Sequence, residues 1–197
     1  TQRLSYFHNR VIKKLLIVRA CRMAPPPSGG AQTMIDFAVG KAGDLQKWSD
    51  AKLQFVLGLD LSRDNIFNTK NGAISRMQGR TQFARPRCIF LPADSSKNIR
   101  SQGTAFSGSL DRGGYRIVRA LFGDQAAPPH TLSPKFERVA AASGAAGGGF
   151  HVGSCQFAEH YFWKSHATLH AFLRNKAECI QLGGLFIGTC FDGAKIF

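Results

Sequence analysis

Apolar positions recur along the chain with two different periods, and the change of period marks the elements. Over residues 4–18 they fall at helical spacing with basic residues between them, which predicts an amphipathic N-terminal helix. The PPPSGG stretch at residues 25–30 ends it. Residues 33–39 form a short apolar run that stops at Gly40, and residues 54–61 form another, as buried parallel strands do. Residues 87–91 are a third strand candidate. The pattern then loosens. A helix is expected near residues 115–122, and the low-complexity AAASGAAGGG at residues 140–149 reads as an insertion or linker rather than core. Residues 151–156 resume a strand, 168–180 a helix and 185–189 a last strand. Strands alternating with helices predict an α/β fold with a mostly parallel sheet of Rossmann type.

Composition narrows the choice of partner. A chain of 197 residues, 44% hydrophobic, can bury one sizeable core, so a single domain is expected. Lys and Arg number 26 against 12 acids, a formal charge of +14, which points to a polyanionic partner and to nucleic acid first. Cys21, Cys88, Cys155, Cys179 and Cys190 contain no C-x-x-C pair, so neither a zinc knuckle nor a disulfide framework is signalled, and a reducing compartment is the simpler expectation. No apolar run approaches the roughly 20 residues that span a bilayer, and no membrane partner is expected. The chain starts without methionine and stops just past a strand-like segment, so a C-terminally truncated fragment is expected.

The first chemical site is the loop VGKAGD after the first strand. Gly40 and Gly43 would let the backbone turn tightly and approach a ligand. The spacing is neither G-x-G-x-x-G nor that of a nucleoside triphosphate loop. An ordinary strand-to-helix turn uses such glycines too. Asp60, however, ends the next strand about 20 residues after Gly40, where doubly wound folds place the acid that accepts ribose hydroxyls. An adenosine ligand without a pyrophosphate suits this pattern. S-adenosylmethionine qualifies, because it offers no phosphate for Asp36, Asp44 and Asp60 to repel and carries positive charge.

Four segments carry a family resemblance. DFAVGKAGDLQKW at residues 36–48 matches a D-x-x-x-G-K-G-G-D-L-x-K-W pattern, with Ala42 in place of one glycine. Gln156, Phe157, His160 and Tyr161 match Q-F-x-x-H-Y, residues 183–189 match G-G-x-F-I-G-T, and FHNRVIKKLLI places Asn9 and Lys13 as in a characteristic N-terminal helix. In these segments the chain resembles the mRNA cap guanine-N7 methyltransferases. Over residues 101–149 it is similar to the versions of large DNA viruses and protists only in a general way.

The resemblance implies a Rossmann-like class I S-adenosylmethionine-dependent methyltransferase acting on N7 of the cap guanine. Its parts would be an N-terminal helix at residues 4–18, a cofactor-binding core at 33–98, an insertion-like segment at 99–149, and the acceptor site with the last core segment at 150–197. Lys13, Gly40, Asp44, Asp60, Asp94, Ser95 and Gln156 would bind S-adenosylmethionine. Asp60 would take the ribose diol, Asp44 the methionine amine, Lys13 its carboxylate, and Asp94 with Ser95 the adenine edge. Asn9, Lys41, Phe157, His160 and Tyr161 would face the cap. Because Tyr161, Phe162 and Trp163 are consecutive, at least one is expected in the core.

Guanine N7 has a free lone pair and the sulfonium is an activated methyl donor, so the reaction needs no general base. No catalytic residue beyond those that orient is expected, nor any metal. The implied partners are the capped 5′ end of mRNA and, where present, fused or associated capping-enzyme modules, in the nucleus or in a viral factory in host cytoplasm. Three departures from the pattern stand out. Ala42 is disruptive if its φ is positive, His151 replaces an aspartate, and later strands of the family supply a glutamate and a tyrosine to the cap pocket. The alternatives are a methyltransferase using the same cofactor on another RNA or protein acceptor, and a non-catalytic RNA-binding relative.

Overall fold

The apolar runs become neighbouring strands of one sheet. In the computed structural model, which describes residues 2–26, 30–79, 86–106, 112–125 and 139–192, the strands are β1 (Thr33–Asp36), β2 (Phe55–Asp60), β3 (Arg87–Pro92), β4 (Phe150–Gln156) and β5 (Ile180–Thr189). Their order is β3-β2-β1-β4-β5, and every pairing is parallel. β1 and β4 are buried at every position, which is why they read as apolar runs without alternation. Successive side chains still point to opposite faces. Met34, Val56 and Val152 pack with Ile17 and Trp48 on one face. On the other, Ile35, Leu57 and Phe150 pack with Val118, Leu121 and Phe172.

The N-terminal helix is longer than residues 4–18. It comprises α1 (Gln2–Tyr6), a π-helical turn at Phe7–Ile12 and α2 (Lys13–Met23), and only Ile17, Ala20 and Cys21 of α2 are buried. The short helices α3 (Leu45–Asp50), α4 (Arg63–Phe67) and α5 (Ala73–Gln78) follow, then α6 (Arg112–Leu121) between β3 and β4 and α7 (His166–Cys179) between β4 and β5. The start of α7 is fixed by a capping box. Ser165 Oγ accepts from the Thr168 N–H at 3.2 Å, and Thr168 Oγ1 accepts from the Ser165 N–H at 3.1 Å.

Four further expectations need revision. The AAASGAAGGG stretch is not a linker: Ala142 and Ala146 are 2% and 1% exposed, inside the core around α6. Its Gly144 and Ala146 N–H groups donate to the carbonyls of Ala120 and Leu121 at 2.9 Å. Small side chains are used here because the chain passes close against the end of α6. Segment 99–149 likewise contributes Ile99, Val118 and Phe122 to the core, so its described residues form the β3-to-β4 crossover rather than an appendage.

β5 begins at Ile180, ahead of the expected residue 185, because the Gly183–Gly184 region carries an irregularity between the pairings Phe150–Ile180 and Val152–Leu185. Finally, His151 has a compensating partner: its Nδ1 accepts from the Thr33 N–H at 3.2 Å and lies 2.9 Å from Thr33 Oγ1. Burial lowers the His151 pKa, in keeping with a neutral ring that accepts at Nδ1.

Candidate functional site

Strand order reverses between β1 and β4, since β2 and β3 extend to one side of β1 and β5 lies beyond β4. The carboxyl ends of parallel strands open a crevice at such a switch point. The site is built there. β1 ends at Asp36, β2 at Asp60 and β4 at Gln156, and the loop after β1 carries Gly40 to Asp44.

Asp60 organises the glycine loop. Its Oδ2 accepts from the Gly40 N–H at 2.7 Å, while Oδ1 accepts from the Ser62 N–H and from Asn65 Nδ2, both at 2.9 Å. Gly40 has φ +55°, and no atom lies within 4 Å of the place a Cβ would take, so the loop leaves free space above it. Ala42 also has a positive φ, +53°, while its methyl is buried. The departure from glycine is therefore the strained case. Ala42→Gly should stabilise the fold by about 1 kcal/mol, because glycine adopts this backbone without a Cβ penalty. Urea unfolding checks this; equal or lower stability would show that the buried methyl outweighs the strain.

Lys13 and Asp44, expected on the carboxylate and the amine of the ligand's amino acid end, meet each other. Lys13 Nζ lies 3.3 Å from Asp44 Oδ2, and Lys47 Nζ lies 2.7 Å from Asp44 Oδ1. The Lys47 contact is an ion pair without hydrogen-bond directionality, so Oδ1 keeps acceptor capacity among the described residues. Asp36 is 2% exposed and accepts from the Ala38 N–H at 3.1 Å. Burial, reinforced by repulsion from Asp44, pushes its carboxyl up to about 7. A cationic ligand beside these acids would be held electrostatically.

Asp94 and Ser95 follow β3. Asp94 Oδ1 accepts from the Ser96 N–H at 3.0 Å and from its hydroxyl at 2.6 Å, with Lys97 3.3 Å from Oδ2. The Ser95 hydroxyl donates inward to the Phe37 carbonyl at 2.7 Å, so it joins two loops rather than facing the crevice. Gln156 is held by its Nε2 bond to Ser154 Oγ at 3.3 Å and by Thr189 Oγ1, which donates to its Oε1 at 3.1 Å.

Phe157 has φ +61°, an unusual conformation for an aromatic residue, and its N–H is held by the Thr189 carbonyl at 2.9 Å. This turns its ring toward the N-terminal helix. Lys13 Nζ lies 5.2 Å from the ring centre, and the His8 ring meets it edge-on at 5.4 Å. Asn9 sits nearby in sequence but donates to Ser5 O at 2.9 Å within its own helix. His160 lies in the short 3₁₀ helix Glu159–Lys164, with its ring 4.2 Å from Tyr161 and 4.9 Å from Phe191. Its Nδ1 is buried without a partner among the described residues. Tyr161 is exposed, whereas Phe162 is core and stacks on Phe172 at 4.0 Å, as one of the three consecutive aromatics had to.

Lys41 is drawn to the other flank. Its Nζ donates to Asn71 Oδ1 at 2.7 Å and lies 3.4 Å from Asp64. Lys41 on the β2 side and His160 on the β5 side thus stand on either flank of the switch point. His8 and Phe191 were absent from the expected set, although His8 directly precedes Asn9 and Phe191 closely follows the G-G-x-F-I-G-T segment.

The residues present fit S-adenosylmethionine on their own chemistry: an anchored acid at the end of β2, open space above Gly40, and a Lys13–Asp44 pair able to face a carboxylate and an amine. Among the described residues no group of three or more metal-ligating side chains occurs.

Comparison with known proteins agrees with these features. Residues 137–197 match the family model of the mRNA (guanine-N(7))-methyltransferase domain. The chain is 28% identical over 166 residues to mRNA cap guanine-N(7) methyltransferase 1 of Arabidopsis thaliana, covering 83% of this chain and 34% of the relative. It is 29% identical over 171 residues to the mRNA cap guanine-N(7) methyltransferase of Aspergillus clavatus, covering 84% of this chain and 28% of the relative. A Meyerozyma guilliermondii relative is 27% identical over 92% of this chain and 28% of its own length. The chain thus spans about a third or less of the curated relatives it matches. With its Rossmann-like fold, the chain is similar over most of its length to the mRNA cap guanine-N7 methyltransferases.

Proposed function

We propose that this chain binds S-adenosylmethionine at the switch point and presents it to N7 of an mRNA cap guanine. What supports this reading is the run of contacts from Asp44 through Lys13 to the ring of Phe157, at the end of the sheet where Asp60 anchors the glycine loop. Asp60 would hold the ribose diol with its remaining lone pairs, and Asp94 would reach the adenine edge. Asp44 and Lys13 would separate slightly to take the amine and the carboxylate. The bound cofactor supplies an electrophilic methyl group.

The chain's own work is orientation. Lys13 and Phe157 are already in contact, so one side chain's placement fixes the other's. The ring of Phe157 keeps water from the reacting atoms, and His160, with Tyr161 beside it, offers an aromatic edge to the guanine. Asp44, with the ionised fraction of Asp36, would provide negative potential where positive charge grows on the purine. Lys41 would take the cap phosphates by leaving Asn71 and Asp64. The partner would be the capped 5′ end of mRNA.

His160→Ala and Tyr161→Ala test the acceptor side. In the whole protein each should lower methyl transfer to capped RNA by about tenfold to a hundredfold through lost orientation. Cofactor affinity, measured by calorimetry, should change less than about twofold, since neither side chain is placed among the cofactor ligands. Loss of cofactor affinity in step with activity would make both residues structural.

A further inference from the structure

A second concave site lies along α6, formed by residues that take no part in the crevice. Gly103, Phe106, Tyr115, Arg116, Arg119 and Gln125 line a cavity of about 350 Å³, within the range of small-ligand sites. Phe106 and Tyr115 stack with centroids 6.4 Å apart and planes inclined by 25°. Two glycines make this possible. A Cβ on Gly103, whose φ is +64°, would come within 2.6 Å of the Tyr115 ring, and one on Gly114 within 2.7 Å of Phe106. Tyr115 is further fixed by its hydroxyl, which donates to the Ser101 carbonyl at 3.3 Å.

Among the described residues the charge at the rim has no carboxylate partner. Asp124 is engaged by Arg100 at 3.3 Å, and Arg119 Nη2 donates at 3.1 Å to the Asp124 backbone carbonyl. Among the described residues no carboxylate pairs with Arg116 or Arg119, and Arg116 is exposed. Gln125, an uncharged hydrogen-bonding group, donates to the Arg116 carbonyl at 3.3 Å. A rigid aromatic ring beside two arginines that no described carboxylate pairs is how sequence-tolerant single-stranded nucleic acid sites are made. Bases stack on the ring, and the cations track the phosphates.

We infer that this cavity binds a nucleotide of single-stranded RNA, its base against the half-buried Tyr115, which the buried Phe106 backs from the core, and its phosphate on Arg116 and Arg119. RNA rather than DNA follows from the proposed cap substrate, but the pocket is tested without a cap. Such a site would hold the body of the transcript while its end is at the switch point, and would use part of the +14 charge that cofactor binding does not need.

Fluorescence anisotropy of an uncapped single-stranded 12-nucleotide RNA, with a duplex of equal length beside it, tests the inference. Tyr115→Leu should weaken the single strand by about tenfold and the duplex by less than twofold, because only unpaired bases can stack. Tyr115→Phe should keep single-strand binding. Arg116→Glu with Arg119→Glu should weaken binding and reduce the salt slope by about 0.7, the release expected for one phosphate contact. Circular dichroism melting of each variant confirms that it is folded. Unchanged single-strand affinity in folded Tyr115→Leu, equal losses for strand and duplex, or an unchanged salt slope would each overturn the site. If these RNA results fail while methyl transfer to capped RNA persists, the pocket alone falls; if they hold and transfer is absent, the cap assignment falls instead.

Discussion

Asp44→Ala should destabilise the folded chain by about 2–4 kcal/mol, because it leaves two largely enclosed lysines without their shared counterion. The Asp44 side chain is 9% exposed, Lys13 13% and Lys47 10%, so water can only partly replace the lost pairings. The effect is larger than for the surface pair Lys14–Asp50, whose lysine side chain is 52% exposed and whose loss should cost about 1 kcal/mol or less. Adding Lys47→Met to Asp44→Ala should recover a good part of the stability by removing one unpaired charge. Denaturant unfolding of the three proteins checks both statements. A cost below about 1 kcal/mol for Asp44→Ala would show that the lysines escape to solvent easily.

Asp60→Ala should lower S-adenosylmethionine affinity by about 1–3 kcal/mol from the ribose acceptor alone. The loop adds to this. Removing the carboxylate frees the Gly40 and Ser62 N–H groups and the Asn65 amide at once, and Ala42 beside them is already strained. Calorimetry on protein shown to be folded separates the effects. Unimpaired affinity would make Asp60 only a strut for the loop and would remove the main support for an adenosine ligand.

Much of this arrangement could be read from residue patterns because it is local. The buried runs of β1, β2 and β4 needed only their length and continuity, and the glycine loop with Asp60 needed only spacing along the chain. Ala42 was recognisable as a departure, and only the backbone angle could decide its sign.

What sequence did not reveal depends on residues that meet across the sheet. The partner of His151 is Thr33 of the neighbouring strand, and finding it requires the register. His8 reaches Phe157 through the path of the N-terminal helix, and Phe191 meets His160 where the chain leaves β5. The alanines of residues 140–149 misled for another reason: small side chains make a flexible linker in solvent and a close-packed turn against a helix, and composition does not distinguish the two.

The most direct test of the switch-point site is a crystal structure of the protein with S-adenosylhomocysteine and a cap analogue bound together. The account predicts the ribose on Asp60, the amino acid end between Lys13 and Asp44, and the guanine against Phe157 and His160 with N7 facing the cofactor sulfur. A cofactor bound away from the loop of Gly40, or a cap guanine on the far side of the sheet from His160, would contradict it.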